Sequence, residues 1–193
     1  MSTTPDNSKA YVWQDGDAFR APVGTALPAD PWAAPPLVTG TSPGVTWDPF
    51  GGIQAGFQLD PQQDVKKHKI FNKRESSYAI SRGPREDTTK FRATDYSKAA
   101  VLTALLGGSI VETSPGSDVF EWIEGSAEEF ALLWILADPS NASADRTGFY
   151  TPKATLATPP PRAFTGEELD GFELEILSLA PLRPISNFNP LIP

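Results

Sequence analysis

Apolar and polar positions alternate along residues 53–60, with Ile53, Ala55, Phe57 and Leu59 set against Gln54, Gly56, Gln58 and Asp60. A period of two predicts a strand with one buried face. Thr89, Phe91 and Ala93 alternate in the same way with Lys90, Arg92 and Thr94, and the pattern breaks at Asp95-Tyr-Ser97. After the break, Ala99, Ala100, Leu102, Ala104, Leu105 and Leu106 follow helical propensity, with Asp95 or Ser97 as the N-cap and Gly107 for the left-handed residue at the end. This predicts a helix of about three turns that covers one open face of a sheet. Residues 109–113 and 119–124 read as two strands around Ser114-Pro-Gly-Ser117, where Pro presets φ and Gly accepts a positive φ. Residues 130–137 are apolar at every position, and their short length and the Asp138-Pro139 stop favour a strand buried on both faces over a helix. Residues 148–156 and 171–179 complete the set, the second with Phe172, Leu174 and Ile176 facing away from Glu173 and Glu175. Near the start, Tyr11-Val-Trp13 and Ala18-Phe-Arg20 flank an Asp15-Gly16 pair that reads as a hairpin turn.

Eight to ten strands and one principal helix define a mainly β fold, a β-sandwich or partly closed barrel with one flanking α-helix and long Pro-rich loops. The 193 residues form a single domain in this reading. Residues 1–8 are a polar tail, 22–49 a Pro-rich connection without periodicity, and 181–193 a C-terminal arm. The 20 prolines are about twice the usual share of about 5% and argue against a helical protein. Five Trp and eleven Phe are too many for a disordered polymer. Cysteine is absent, which removes disulfides, thiolate metal sites and a Cys nucleophile and fits a reducing cytosol. The start carries no signal-like apolar stretch, and no apolar run approaches the roughly 20 residues of a membrane helix. A soluble protein with no membrane partner is expected.

Catalytic chemistry finds little support. His68 is the one histidine and sits in Lys66-Lys-His-Lys69, where an exposed strand histidine is the simpler account. No Ser lies in a Gly-x-Ser-x-Gly elbow and no phosphate-cradling Gly-rich loop is present. The acidic pairs Glu121 with Glu124, Glu128 with Glu129, Glu167 with Glu168 and Glu173 with Glu175 meet the minimum for glycoside hydrolysis, but paired acids at strand edges are far more often solvated charge. Asp138, Asn141 and Asp145 lack the order of a calcium loop. The dispersed tryptophans suit packing better than a sugar platform. No catalytic residue, metal or cofactor is expected, and the reading of another class is a carbohydrate-binding or adhesion module using exposed Trp32 or Trp47.

Charge is the uneven feature. Residues 64–98 carry ten basic side chains against five acidic ones, a net of +5, which leaves −13 for the remainder of a chain whose total is −8. Lys66, Lys67, Lys69, Lys73, Arg74, Arg82 and Arg85 are therefore candidates for contacts between subunits. A basic segment on one copy facing acidic surface on the next gives a contact that propagates instead of closing pairwise. A net negative chain is also a poor sequence-independent DNA binder, since that binding depends on Lys and Arg neutralising phosphates.

The order of these features resembles a known family. Ala18-Phe-Arg-Ala-Pro-Val-Gly-Thr-Ala-Leu-Pro28, followed by the glycine-led alternation at 52–60, is similar to the opening of the major tail protein of long-tailed non-contractile phages of actinobacteria. Thr89-Lys-Phe-Arg-Ala-Thr-Asp-Tyr-Ser-Lys-Ala-Ala-Val-Leu-Thr-Ala-Leu-Leu-Gly-Gly108 resembles its strand, helix and double-glycine step. Thr147-Gly-Phe-Tyr-Thr-Pro-Lys-Ala154, an acidic loop and Gly171-Phe-Glu-Leu-Glu-Ile176 resemble its closing strand pair. The resemblance implies a tail tube subunit located in the virion and assembled in the host cytoplasm. Six copies would form a ring, with rings stacked into a tube around a tape-measure protein and bounded by tail tip and tail terminator proteins. DNA would pass through the lumen during ejection without specific binding. By position, residues 64–86 are the candidate for the family's reaching loop, and residues 23–49 the rival.

Overall fold

The computed structural model describes residues 10–41, 43–69, 77–140, 144–162, 164, 166–167, 169–189 and 191. Its elements are β1 (Asp15–Pro22), β2 (Val38–Thr39), β3 (Val45–Thr46), β4 (Asp48–Pro49), β5 (Ile53–His68), β6 (Ala79–Ala93), α1 (Lys98–Ala104), β7 (Ser109–Glu112), β8 (Phe120–Ile123), β9 (Glu129–Ala137), β10 (Arg146–Leu156), β11 (Phe172–Ser178) and β12 (Arg183–Ser186). The fold is mainly β. One large antiparallel sheet runs in the order β4-β1-β9-β10-β11-β6-β5, with β12 also paired to β10. The pairs β2 with β3 and β7 with β8 are separate two-stranded ribbons.

The apolar run at 130–137 is β9, third in this order and covered on both faces. Phe130, Leu132 and Trp134 point into one core with Phe91, Leu174 and Ile176. Ala131 and Leu133 point into a second core with Phe19, Leu37, Trp47 and Tyr150. The first core is closed by α1, whose Ala99, Ala100 and Val101 are buried, and by β5. Phe57 of β5 lies against Trp134 of β9, stacked at 4.8 Å, and Phe149 stacks on Trp134 at 4.4 Å. Because β5 is the far edge of the sheet, this contact means that the sheet curls until its last strand meets the third.

The second core is closed by the Pro-rich segment. Leu37 and Trp47 are 2% and 0% exposed, and the Trp47 indole donates to Thr39 Oγ1 at 2.9 Å. The Tyr150 hydroxyl donates to the Thr25 carbonyl at 2.7 Å. Residues 22–49 are thus a cover laid on the sheet, bound by a few large side chains instead of a periodic face. This is not the posture of a reaching loop, and it removes Trp47 from the list of exposed aromatics.

Three further expectations change. Asp15-Gly16 is no turn: β1 runs unbroken from Asp15, with Gly16 opposite Leu136, and residues 11–13 form no strand. A Cβ at Gly16 would lie 2.9 Å from the Ile135 carbonyl oxygen and 3.0 Å from the Phe57 ring, so glycine is needed there for close approach, not for a positive φ. The helix is shorter than expected, seven residues, with Ser97 as its N-cap accepting from the Ala100 amide. Asp95 instead accepts from the Gly52 amide at 2.9 Å. The segment 181–193 contributes β12, where Pro184 sits opposite Phe149, and Phe188 stacks on Tyr11 at 5.1 Å. A proline is tolerated there because β12 pairs on one side only.

One polar cluster joins helix to sheet. Arg20, 5% exposed, donates to Thr103 Oγ1 at 2.7 Å, forms an ion pair with Glu128, and holds its guanidinium 4.5 Å from the Phe130 ring centre. Removing one partner of a buried ion pair strands the other charge, at a cost of about 3–5 kcal/mol. Glu128 is about one-third exposed, which places its loss at the low end. Glu128→Ala is expected to lower unfolding stability by about 3 kcal/mol in urea titration, and Arg20→Met, which removes the buried charge itself, by less.

Candidate interaction surface

The candidate basic residues lie on a two-stranded arm. β5 and β6 stay paired from Ile53 opposite Ala93 out to His68 opposite Ala79, but β11 accompanies β6 only as far as Ser178 opposite Asp87. Beyond that row the ribbon has lost its neighbour. Residues 61–69 are all exposed, and so are 79–86 except Gly83. Eight residues from Pro61 to His68 span about 25 Å at the usual strand rise.

Within β5 two devices fit the strand to its two tasks. Between Gln54 and Gln58 it takes four steps while β6 takes two, from Arg92 to Lys90, with Ala55 and Gly56 at φ of 64° and 74°. Two extra residues preserve the parity, so Ile53, Phe57 and Leu59 still face the core while Ala55 is expelled to solvent. The bulge opens a groove of about 680 Å³ lined in part by Gln54, Phe57, Lys90, Arg92 and Glu175. A second irregularity between Gln63 and Val65 resets the faces where the arm begins.

Register then sorts the cations. Val65 opposite Arg82 and Lys67 opposite Ile80 share one face, and Lys66 opposite Ser81 shares the other with His68 opposite Ala79. Period two carries Lys69 and Tyr78 onto the first face. That face therefore interleaves Lys67, Lys69 and Arg82 with Val65, Ile80 and Tyr78, which are 49%, 54% and 64% exposed. Among the described residues Lys66, Lys67, Lys69 and Arg82 make no ion pair. Arg85 differs, since its Nε donates to Asp87 at 2.7 Å and Asp87 is buried. Lys73 and Arg74 lie outside the described residues. The His68 ring shares a hydrogen bond with Ser81 at 2.9 Å.

The rest of the basic segment is neutralised within the fold. Lys90 pairs with Glu175 at 3.0 Å, Lys98 with Asp48 at 2.8 Å, and Arg92 donates to the Leu169 carbonyl at 2.6 Å. One acidic pair is similarly occupied: Glu128 by Arg20, Glu129 by Lys153 at 2.9 Å. Asp138 accepts from the Val12 and Ser140 amides, each at 3.0 Å. No cluster able to hold a metal ion occurs among the described residues, and no helix there is long and apolar enough to cross a membrane.

A second surface was missed by the sequence reading. The ribbon of β7 and β8 stands off the sheet with apolar residues exposed on both faces: Val111, Val119 and Ile123 on one, Ile110, Phe120 and Trp122 on the other. The sequence signal was two strands in which neither parity is polar. Its neck is held against the end of α1, where Gly108 and Gly125 donate to the Leu105 carbonyl at 3.0 and 2.8 Å. A Cβ at Gly108 would fall 1.9 Å from the Ile123 oxygen.

Beside the ribbon a latch ties Arg162 and Asp170 to Tyr96. The Tyr96 hydroxyl donates to Asp170, Arg162 donates to the same carboxylate at 2.5 Å, and Tyr96 sets its edge against Trp122 at 6.0 Å. The Tyr96 hydrogen bond, joined by Arg162, holds the Asp170 carboxyl below the ordinary carboxylate range.

No model of a known protein family matches the chain, and no curated protein matches it.

Two outcomes follow for stability. Replacing Lys66, Lys67, Lys69 and Arg82 together by Glu is expected to move unfolding stability by no more than about 1 kcal/mol, as for exposed sites. Arg85→Glu removes a charged hydrogen bond from buried Asp87 and is expected to cost about 2 kcal/mol in the same urea titration. For the latch, a carboxyl with a depressed pKa contributes fully above its unfolded pKa and loses that contribution as pH falls through the folded value. Limited proteolysis at residues 157–171 is expected to rise on acidification below the ordinary carboxylate range, and Asp170→Asn to raise it already at neutral pH.

Proposed function

We propose that the chain is a structural virion protein, the tube subunit of a long phage tail, whose activity is self-assembly into stacked hexameric rings. The observation that carries this reading is the arm: a long ribbon released from the sheet, with unpaired cations set among exposed apolar side chains. A monomer gains nothing from such a ribbon, because a hairpin without a third layer is marginal alone. A neighbouring copy that covers it makes it useful. The motif order at 18–28, 89–108 and 147–176 supports the same family, and a mainly β sheet that curls on itself and carries one helix suits its sandwich-like subunit.

In this reading no residue is catalytic and no cofactor is needed. The tape-measure protein occupies the lumen, and tip and terminator proteins bound the tube. Cations on the arm are consumed by subunit contacts, leaving a net acidic remainder that lets DNA slide through without sticking. The ordering of arms on contact keeps free subunits soluble until an initiator is present. The competing carbohydrate-binding reading loses its platform, since Trp47 is fully buried and Trp32 half-buried.

Electron microscopy of the purified chain is expected to show hollow tubes of stacked rings when an initiating tail tip is added, and dispersed subunits without it. Glu at Lys66, Lys67, Lys69 and Arg82 is expected to reduce tube yield at least tenfold while circular dichroism stays that of the parent. A chain that remains monomeric with the tip present, and is absent from purified tails, refutes the assignment.

A further inference from the structure

The β7 and β8 ribbon is the counterpart that the arm lacks. Between residues 108 and 125 the chain carries Glu112, Asp118, Glu121 and Glu124 and no Lys or Arg. Glu112 is used internally, its carboxylate accepting from the Ser117 amide at 3.0 Å to close the turn. Asp118, Glu121 and Glu124 are exposed. Trp122 leans on Tyr96, which leaves the opposite face, Val111, Val119 and Ile123 with Glu121 among them, as the outward one. Three exposed aliphatic residues with acid among them match the three exposed apolar residues with base among them on the arm.

Position adds a second, independent argument. β6 runs from the tip of the arm at Ala79 to Ala93, and α1 and then the acidic ribbon follow from the Ala93 end. The arm therefore extends toward one end of the sheet's strands and the acidic ribbon is rooted at the other. Between two copies stacked in the same orientation, one copy's arm points toward the next copy's acidic ribbon.

We propose that the arm's Val65, Tyr78 and Ile80 face docks on the Val111, Val119 and Ile123 face of the β7 and β8 ribbon of a second copy, with Lys67 and Arg82 opposed to Glu121. The occupant of both surfaces is thus the same chain, in a heterologous contact that repeats. This rests on the self-assembly reading and specifies its acidic half, which that reading leaves open. Same-signed ribbons repel, so arm on arm and ribbon on ribbon are disfavoured.

The absence of cysteine makes the contact directly testable. Full-length Ile80→Cys and Val119→Cys chains, mixed and treated with a short bis-maleimide, are expected to give a crosslinked heterodimer at least fivefold faster than Ile80→Cys mixed with an exposed control, Ala34→Cys. Adding Glu121→Lys to the Val119→Cys chain is expected to abolish the excess. Adding Lys67→Glu and Arg82→Glu to its Ile80→Cys partner is expected to restore it. Equal rates for Val119→Cys and the control overturn the docking, as does an excess untouched by charge reversal. Tubes seen by microscopy without the crosslink overturn this contact and leave self-assembly standing, whereas a specific crosslink without tubes keeps the contact and removes the tail tube.

Discussion

A strand that is apolar on both faces needs two covers, and most of this structure is the answer to that requirement. With Phe130, Leu132 and Trp134 on one side of β9 and Ala131 and Leu133 on the other, leaving either side in water would forfeit about 1.5–3 kcal/mol for each large side chain. One side is met by the helix and by the curl that brings Phe57 onto Trp134. The other is met by a segment with no regular structure of its own beyond a two-residue ribbon, pinned through Leu37 and Trp47. Arg20 then binds the helix to the start of β9, so that the first cover and the strand it protects are held by one charge.

The same requirement explains where the fold stops. Among the described residues no second layer lies past Asp87 and Ser178, and none past Gly108 and Gly125. Each ribbon is a stretch of satisfied backbone without a core of its own. Exposed apolar residues are ordinary when scattered, but here nine are gathered on two ribbons that differ in sign. Their concentration where the cores end is what makes them candidates for an interaction surface instead of background.

How much of this was legible depends on what each element buries. The strand at 130–137, the Ser97 cap and the Ser114-Pro-Gly-Ser117 turn were readable because local chemistry and tertiary role agree. Asp15-Gly16 misled, since the glycine serves close packing against Ile135 and Phe57 while the dipeptide also spells a turn. Beyond Leu59 the alternation ends, yet β5 continues to His68, because an arm with no buried face leaves no hydrophobic period to find. The Pro-rich segment hid its role for the converse reason: Leu37 and Trp47 anchor it by burial without any period. The seven candidate cations were visible as a charge imbalance, but only register separated Lys67, Lys69 and Arg82 from Lys66, and only the Asp87 contact set Arg85 apart.

Segregation of sign along the chain has a consequence for symmetry. A two-fold contact must place each surface against itself or exchange two different surfaces reciprocally. The first sets base on base or acid on acid. The second is met by two copies lying side by side in opposite directions, since the ribbons are rooted at opposite ends of the strands. The stacking proposed above differs in keeping every copy in one orientation, so that each offers an arm ahead and an acidic ribbon behind. Such a contact always leaves one unsatisfied ribbon at each end of the assembly, so growth stops only where another protein covers it. A net charge of −8 then acts against chance encounters between free chains, while the local opposition of arm and ribbon acts only once two copies are aligned.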